Sequence, residues 1–128
     1  MDKSCPWNEY PRPQLKRDSF ICLNGLWDFA ITKDATPPKK FAKNILVPFP
    51  VESSLSGIGR SVSSDDYLYY RRKFTIPDGF VKDRVLLRFG AVDRFCKITV
   101  NGEIAGIHNI VYLPFYADIT DKLVEGEN

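Results

Sequence analysis

The chain has 128 residues, with 18 Lys and Arg against 16 Asp and Glu and a net charge of +2, the two signs being spread along its length. That length suits one domain, residues 1–128, and with no basic block to meet a phosphate backbone, nucleic acid is excluded as a partner. The longest apolar runs, such as residues 44–50 and 85–87, are too short to cross a bilayer, so no membrane partner is expected.

Nine Phe, six Tyr and two Trp supply enough large side chains for one sizeable core. The first ten residues contain Asp2, Lys3, Asn8 and Glu9 and lack the apolar stretch of a signal peptide. Three cysteines (Cys5, Cys22 and Cys96) are odd in number and lack metal-ligand spacing. They read as reduced thiols of a cytoplasmic protein, with no metal and no cofactor expected.

Apolar residues alternate along most of the chain. Leu26, Asp28 and Ala30 against Trp27, Phe29 and Ile31 define the two faces of a first strand. Lys43–Val47 predicts a second, stopped by Pro48 and Pro50. Between them, residues 34–42 read as a surface loop. Residues 52–66, rich in Ser and Gly, form a long strand-poor stretch, and such a loop is either functional or disordered. Leu68, Tyr70, Arg72, Phe74 and Ile76 alternate through a third strand, residues 67–76, which ends at the turn Pro77-Asp78-Gly79. A fourth strand is predicted over 85–89 and a fifth over 95–100. Asn101-Gly102 follows, and this pair tolerates positive φ at both positions of a type I′ hairpin, leading into Ile104-Ala105. A seventh strand is predicted over 115–119, and the one helical candidate is a short turn within 120–125. Short strands separated by turn signals indicate an all-β antiparallel sandwich or barrel.

Chemistry-bearing residues are sparse. His108 stands alone, without a cluster of metal ligands or carboxylates beside it, so a structural role is the simpler reading. Asp65-Asp66 are adjacent, and in an extended strand they would point to opposite faces, unlike the paired carboxylates that flank a glycosidic bond. Asp93 and Asp118 read as turn caps. No serine sits in a nucleophile elbow, and Gly57-Ile58-Gly59 lacks the strand-then-helix setting of a phosphate loop. Trp7, Tyr10, Tyr67, Tyr69, Tyr112 and Tyr116 are candidate sugar-stacking rings, although aromatic residues of β proteins are more often core.

Several segments, in order, resemble the amino-terminal sugar-binding domain of glycoside hydrolase family 2, the family of β-galactosidases, β-glucuronidases and β-mannosidases. They are Glu9-Tyr10-Pro11-Arg12-Pro13-Gln14-Leu15, then Leu23-Asn24-Gly25-Leu26-Trp27-Asp28-Phe29. Val47-Pro48-Phe49-Pro50-Val51-Glu52-Ser53, Leu55-Ser56-Gly57-Ile58-Gly59 and Tyr69-Tyr70-Arg71-Arg72 continue the likeness. Phe89-Gly90-Ala91-Val92-Asp93, Val100-Asn101-Gly102, Gly106, His108, Pro114-Phe115, Asp118-Ile119-Thr120 and Gly126-Glu127-Asn128 complete it. The chain departs from the pattern at Tyr69, where the family often has Trp, and at Ile110-Val111, where it often has two glycines.

The resemblance implies a jelly-roll, galactose-binding-like antiparallel β-sandwich, truncated before its last strand. It implies a non-catalytic domain of a retaining β-glycosidase, β-galactosidase-like, whose catalytic glutamates lie in a barrel this chain does not contain. The expected partners are that barrel, a middle domain and a carbohydrate substrate. The loop between Gly59 and Tyr67 matches the family's substrate rim, with Arg60, Asp65 and Asp66 as hydroxyl-binding groups and no catalytic residue. A free-standing carbohydrate-binding module and a structural interaction domain are the alternatives. Edge strands exposed by truncation would pair between copies as a homo-oligomer, or residues 120–128 would be partly disordered.

Overall fold

The computed structural model describes residues 4–9, 18–93, 95–109 and 113–128. Tyr10, Tyr112, the segment 10–15 and the pair Ile110-Val111 lie outside the described residues. Within them are seven strands, all paired antiparallel, and two 3-10 turns but no α-helix. The all-β antiparallel class expected from the alternation is the one observed. The strands fall into two compact units, Met1–Arg72 and Lys73–Asn128.

The first unit is a three-stranded sheet of β1 (Gly25–Thr32), β2 (Lys43–Val47) and β3 (Tyr67–Arg71), with β1 in the centre. Pairing of Trp27 with Ile45 and of Ile31 with Leu68 brings one set of alternating side chains onto one face. There Phe29 and Ile45, both 0% exposed, pack with Val51 and with Trp27, Ile31, Val47, Ile58, Val62 and Leu68. The other face is polar at its centre. Arg71 donates from Nε (3.0 Å) and Nη2 (2.8 Å) to Asp28 Oδ2, and its guanidinium lies 4.3 Å from the Phe41 ring centre.

The predicted third strand runs to residue 76, whereas β3 ends at Arg71. The Arg72 guanidinium donates through Nη1 to the Leu26 carbonyl, giving that acceptor a side-chain partner. Beyond it, Phe74 exchanges backbone hydrogen bonds with Asn128 (3.0 and 2.8 Å), and Thr75 bridges to Glu127.

The Ser- and Gly-rich loop is stitched to itself. Ser53 Oγ accepts from the Leu55 amide (3.2 Å) ahead of the 3-10 turn Ser54–Ser56. The buried Ser56 hydroxyl donates to Ser53 O (2.7 Å) and accepts from the Ile58 amide (3.1 Å), while the Arg60 amide returns to Val51 O (3.2 Å). Small hydroxyl side chains that bond nearby backbone, with Gly57 at φ +85°, explain this composition.

The second unit pairs β4 (Leu86–Phe89) with β7 (Phe115–Asp118), and β5 (Cys96–Val100) with β6 (Glu103–His108). Its core holds Val85, Val100, Ala117 and Ile119, packed by Phe74, Phe80, Leu87, Ile98, Ala105 and Leu123. Asn101 and Gly102, at φ +51° and +84°, make the predicted β5–β6 turn. The Asn101 side chain also donates to Lys122 O (2.7 Å) and to Asn128 Oδ1 (2.8 Å). Asn128 Oδ1 accepts from the Val124 amide too (2.8 Å), and its Nδ2 donates to Gly126 O (3.1 Å). These bonds tie the segment 122–128 to the β5–β6 turn. The predicted turn within 120–125 is present as the 3-10 turn Thr120–Lys122, led in by Asp118 Oδ1, which accepts from the Thr120 amide and hydroxyl.

Candidate functional site

The antiparallel register of β1 and β3 assembles the principal polar cluster of the first unit. Thr32 and Tyr67 are the terminal pair of that ladder. The residue that follows β1, Lys33, therefore emerges beside the residue that precedes β3, Asp66. Lys33 Nζ lies 2.7 Å from Asp66 Oδ1 and 3.1 Å from Asp65 Oδ1. Residues 63–66 form a turn closed by Asp66 N donating to Ser63 O (3.1 Å) and Ser63 N donating to Asp66 Oδ2 (2.9 Å). Ser63 Oγ stands 2.6 Å from Asp65 Oδ1 and 3.1 Å from Asp66 Oδ2.

Because the aspartates lie on a turn rather than in an extended strand, their carboxylates converge on one ammonium. The expectation of opposite faces is corrected accordingly. The two side chains are unequal: Asp65 is 74% exposed and Asp66 only 2%. Arg60 lies exposed in the same loop, and its side chain makes no hydrogen bond or ion pair among the described residues. Sequence reasoning thus found the two aspartates but missed Lys33 and Ser63. The signal for Lys33 was available only through the β1–β3 register.

The charges reinforce one another. Lys33, then the Ser63 amide, holds the Asp66 carboxyl down at about 2. The Ser63 hydroxyl, followed by Lys33, lowers Asp65. Asp66, then Asp65, raises Lys33 above its ordinary 10.5. A depressed carboxylate contributes stability above its unfolded pKa and loses it as pH falls through the folded value. We expect the first unit to lose stability between roughly pH 4 and pH 2, and Asp66→Asn to flatten that part of the acid limb. Urea unfolding followed by tryptophan fluorescence at several acidic pH values measures this. An unchanged acid limb in Asp66→Asn would assign the loss to other carboxylates.

The remaining candidates are structural or isolated. The His108 ring stacks on Phe115 (3.7 Å between centres, 12° between planes), and Phe89 continues the stack at 5.0 Å. Its Nε2 is buried without a hydrogen-bond partner among the described residues. Burial pushes the neighbouring Cys96 thiol up. Tyr69 Oη donates to Asp34 O (2.7 Å). Tyr67 and Tyr116 are exposed, with Arg88 lying 5.6 Å from the Tyr116 ring centre. Trp7 is exposed and leans on Phe49 at 5.1 Å. No three His, Cys, Asp or Glu side chains gather as metal ligands among the described residues, and none of their helices is long and apolar enough to cross a membrane. A groove of about 520 Å³ in the second unit is lined by residues 75–79, Val81 and residues 123–126, none of them aromatic.

Comparison with known proteins gives this geometry a setting. Residues 38–128 match the family described as glycosyl hydrolases family 2, sugar binding domain. A β-glucuronidase of Paenibacillus borealis is 29% identical over 91% of the chain and 21% of its own length. That of Felis catus is 30% identical over 91% of the chain and 20% of its own length. A β-galactosidase of Thermoanaerobacter pseudethanolicus is 34% identical over 48% of the chain and 9% of its own. The solved β-glucuronidase of Faecalibacterium prausnitzii superposes with a TM-score of 0.67 at 29% identity, covering 92% of the chain and 21% of that structure. The chain thus spans about a fifth of the length of these β-glucuronidases, and its all-β antiparallel fold, the β-sandwich class expected for it, matches that of the solved one.

Proposed function

Because this chain belongs to glycosyl hydrolase family 2 through its sugar-binding domain, we propose that it is the non-catalytic domain of a retaining β-glycosidase. The observation that carries this reading is the family match over residues 38–128 together with β-glucuronidase relatives that align over 91% of the chain. The proposed partners are a catalytic barrel and a middle domain of the same protein, and the proposed substrate is a terminal β-linked sugar. β-Glucuronide is favoured over β-galactoside, because β-glucuronidases align along most of the chain and the β-galactosidase along less than half. Arg60, Asp65 and Asp66 are proposed as groups of the substrate rim. They are not proposed as the catalytic pair: both carboxyls are held below their ordinary range, whereas a retaining pair needs one carboxyl kept protonated as the general acid.

The test compares the 128-residue chain with the protein made from its complete reading frame, on aryl β-glucuronide and aryl β-galactoside. We expect the complete protein to hydrolyse the glucuronide with retained anomeric configuration, read by NMR, and the short chain to be inactive. Preference for the galactoside would overturn the glucuronide reading. Activity of the short chain would overturn the non-catalytic one.

A further inference from the structure

We propose that Cys5 and Cys22 join in an intramolecular disulfide when the protein meets a disulfide oxidant, and that this bond fastens the segment before β1 to the start of the strand. All three cysteines of the chain are thiols in this structure. Cys5 and Cys22 stand 17 positions apart in the sequence, yet Cys5 Sγ donates to the Cys22 carbonyl oxygen at 3.8 Å. That contact is one of a row between the two segments. Ser4 O sits so close over Gly25 that a side chain there would strike it, and Asn24 Nδ2 donates to Pro6 O at 2.8 Å. Pro6 is fully buried, and the carbonyl of Leu23, next to Cys22, accepts from Trp27 Nε1 at 2.7 Å. Residues 4–6 therefore run beside residues 22–25, with the Cys5 thiol turned to the Cys22 backbone.

A disulfide brings two Cβ atoms to about 3.5–4.5 Å. Here one sulfur already touches the other residue, and the bond needs rotation about the two Cα–Cβ bonds with a small shift of residues 4–6. Both cysteines are half-buried, which leaves them open to a small oxidant. Cys96 is a different case: it lies on β5 opposite His108, and burial pushes its thiol up, away from the reactive thiolate. With oxidised glutathione, one of the paired cysteines attacks a sulfur of the glutathione disulfide as its thiolate and expels one glutathione thiolate, leaving a mixed disulfide. The second cysteine thiolate attacks the protein sulfur of that mixed disulfide and expels the other glutathione. Two protein thiols are oxidised, one glutathione disulfide is reduced to two thiols, and the two cysteine protons end on the two glutathione sulfurs. Because the fold holds the cysteines together, the bond forms more readily in the folded chain than in the unfolded one. By linkage it favours the folded chain by the same factor.

The experiment equilibrates the protein made from its complete reading frame with mixtures of oxidised and reduced glutathione, folded in buffer or unfolded in concentrated urea. Remaining thiols are blocked with N-ethylmaleimide, and the tryptic peptides are identified by mass. Cleavage after Lys3, Lys16, Arg17 and Lys33 puts Cys5 on the peptide 4–16 and Cys22 on the peptide 18–33, while Cys96 falls on 95–97. We expect the peptides 4–16 and 18–33 to be recovered linked, and the link to be lost on treatment with dithiothreitol. The effective concentration of one thiol at the other should be about a hundredfold higher in the folded protein than in urea, the factor for closing a loop of this length. Cys22→Ser should leave Cys5 with a glutathione adduct in place of the link. Glutathione adducts on 4–16 and 18–33 of the wild type with no linked pair, or a link from either peptide to 95–97 instead, would overturn the proposal. So would an effective concentration no higher in the folded protein than in urea, since the fold would then do nothing to bring the two cysteines together.

Discussion

Phe29→Ala is expected to destabilise the unit ending at Arg72 by about 3–5 kcal/mol, the cost of deleting a fully buried aromatic side chain and leaving its cavity. Phe29 sits in the middle of β1, which has a strand on either side, so the sheet cannot easily close over the gap. Its ring is 0% exposed and meets the Tyr70 ring at 5.0 Å and 68°, an edge-on contact that alanine also removes. Leu26, on the same strand but the opposite face, is 57% exposed, and Leu26→Ala should change stability by no more than about 0.5 kcal/mol. Both tryptophans of the chain, Trp7 and Trp27, belong to this unit, so urea unfolding followed by their fluorescence reports on it directly. Similar losses for the two variants would mean that the alternation of β1 does not separate core from surface.

That alternation was legible because it is local. Trp27, Phe29 and Ile31 declare one face of β1 within six residues, and Asn101-Gly102 declares its turn within two. The end of β3 was not legible in the same way. Alternation continues through Phe74 and Ile76, but Arg72 donates to Leu26 O, and Phe74 pairs with Asn128, a residue 54 positions on. The candidate site shows the same division. Asp65 and Asp66 are visible as a pair, yet whether adjacent carboxylates diverge or converge depends on whether the backbone there is a strand or a turn. Lys33 is 33 residues away from Asp66 and becomes its neighbour only once the Thr32–Tyr67 register is known. The Ser- and Gly-rich loop was legible as a loop, but its order was not, because it comes from specific bonds such as Ser56 to Ser53 and Ile58.

Gly25→Ala is expected to be the second severe substitution, costing about 3 kcal/mol or more, from positive-φ strain of about 1–3 kcal/mol together with a collision. Gly25 has φ +124°, and an added Cβ would strike the backbone carbonyl oxygen of Ser4 and come within 3.5 Å of Arg72 Nη1. A backbone carbonyl cannot swing aside as a side-chain tip can, so relief requires moving residues 4–6 off the start of β1. Those residues are tied there by Asn24 as well, whose Nδ2 donates to Pro6 O at 2.8 Å. Asn24-Gly25 thus works as a pair, the first residue supplying a bond to the preceding segment and the second leaving room for it. Gly57→Ala is the control within the same unit: φ is +85°, but an added Cβ meets nothing within 4 Å. It carries the backbone strain without the collision and should cost about 1–2 kcal/mol. Tryptophan-monitored urea unfolding of both variants separates the two contributions. If Gly25→Ala loses no more than Gly57→Ala, the close approach of Ser4 to β1 contributes nothing to holding the unit together. A larger loss at Gly25 assigns the difference to that approach.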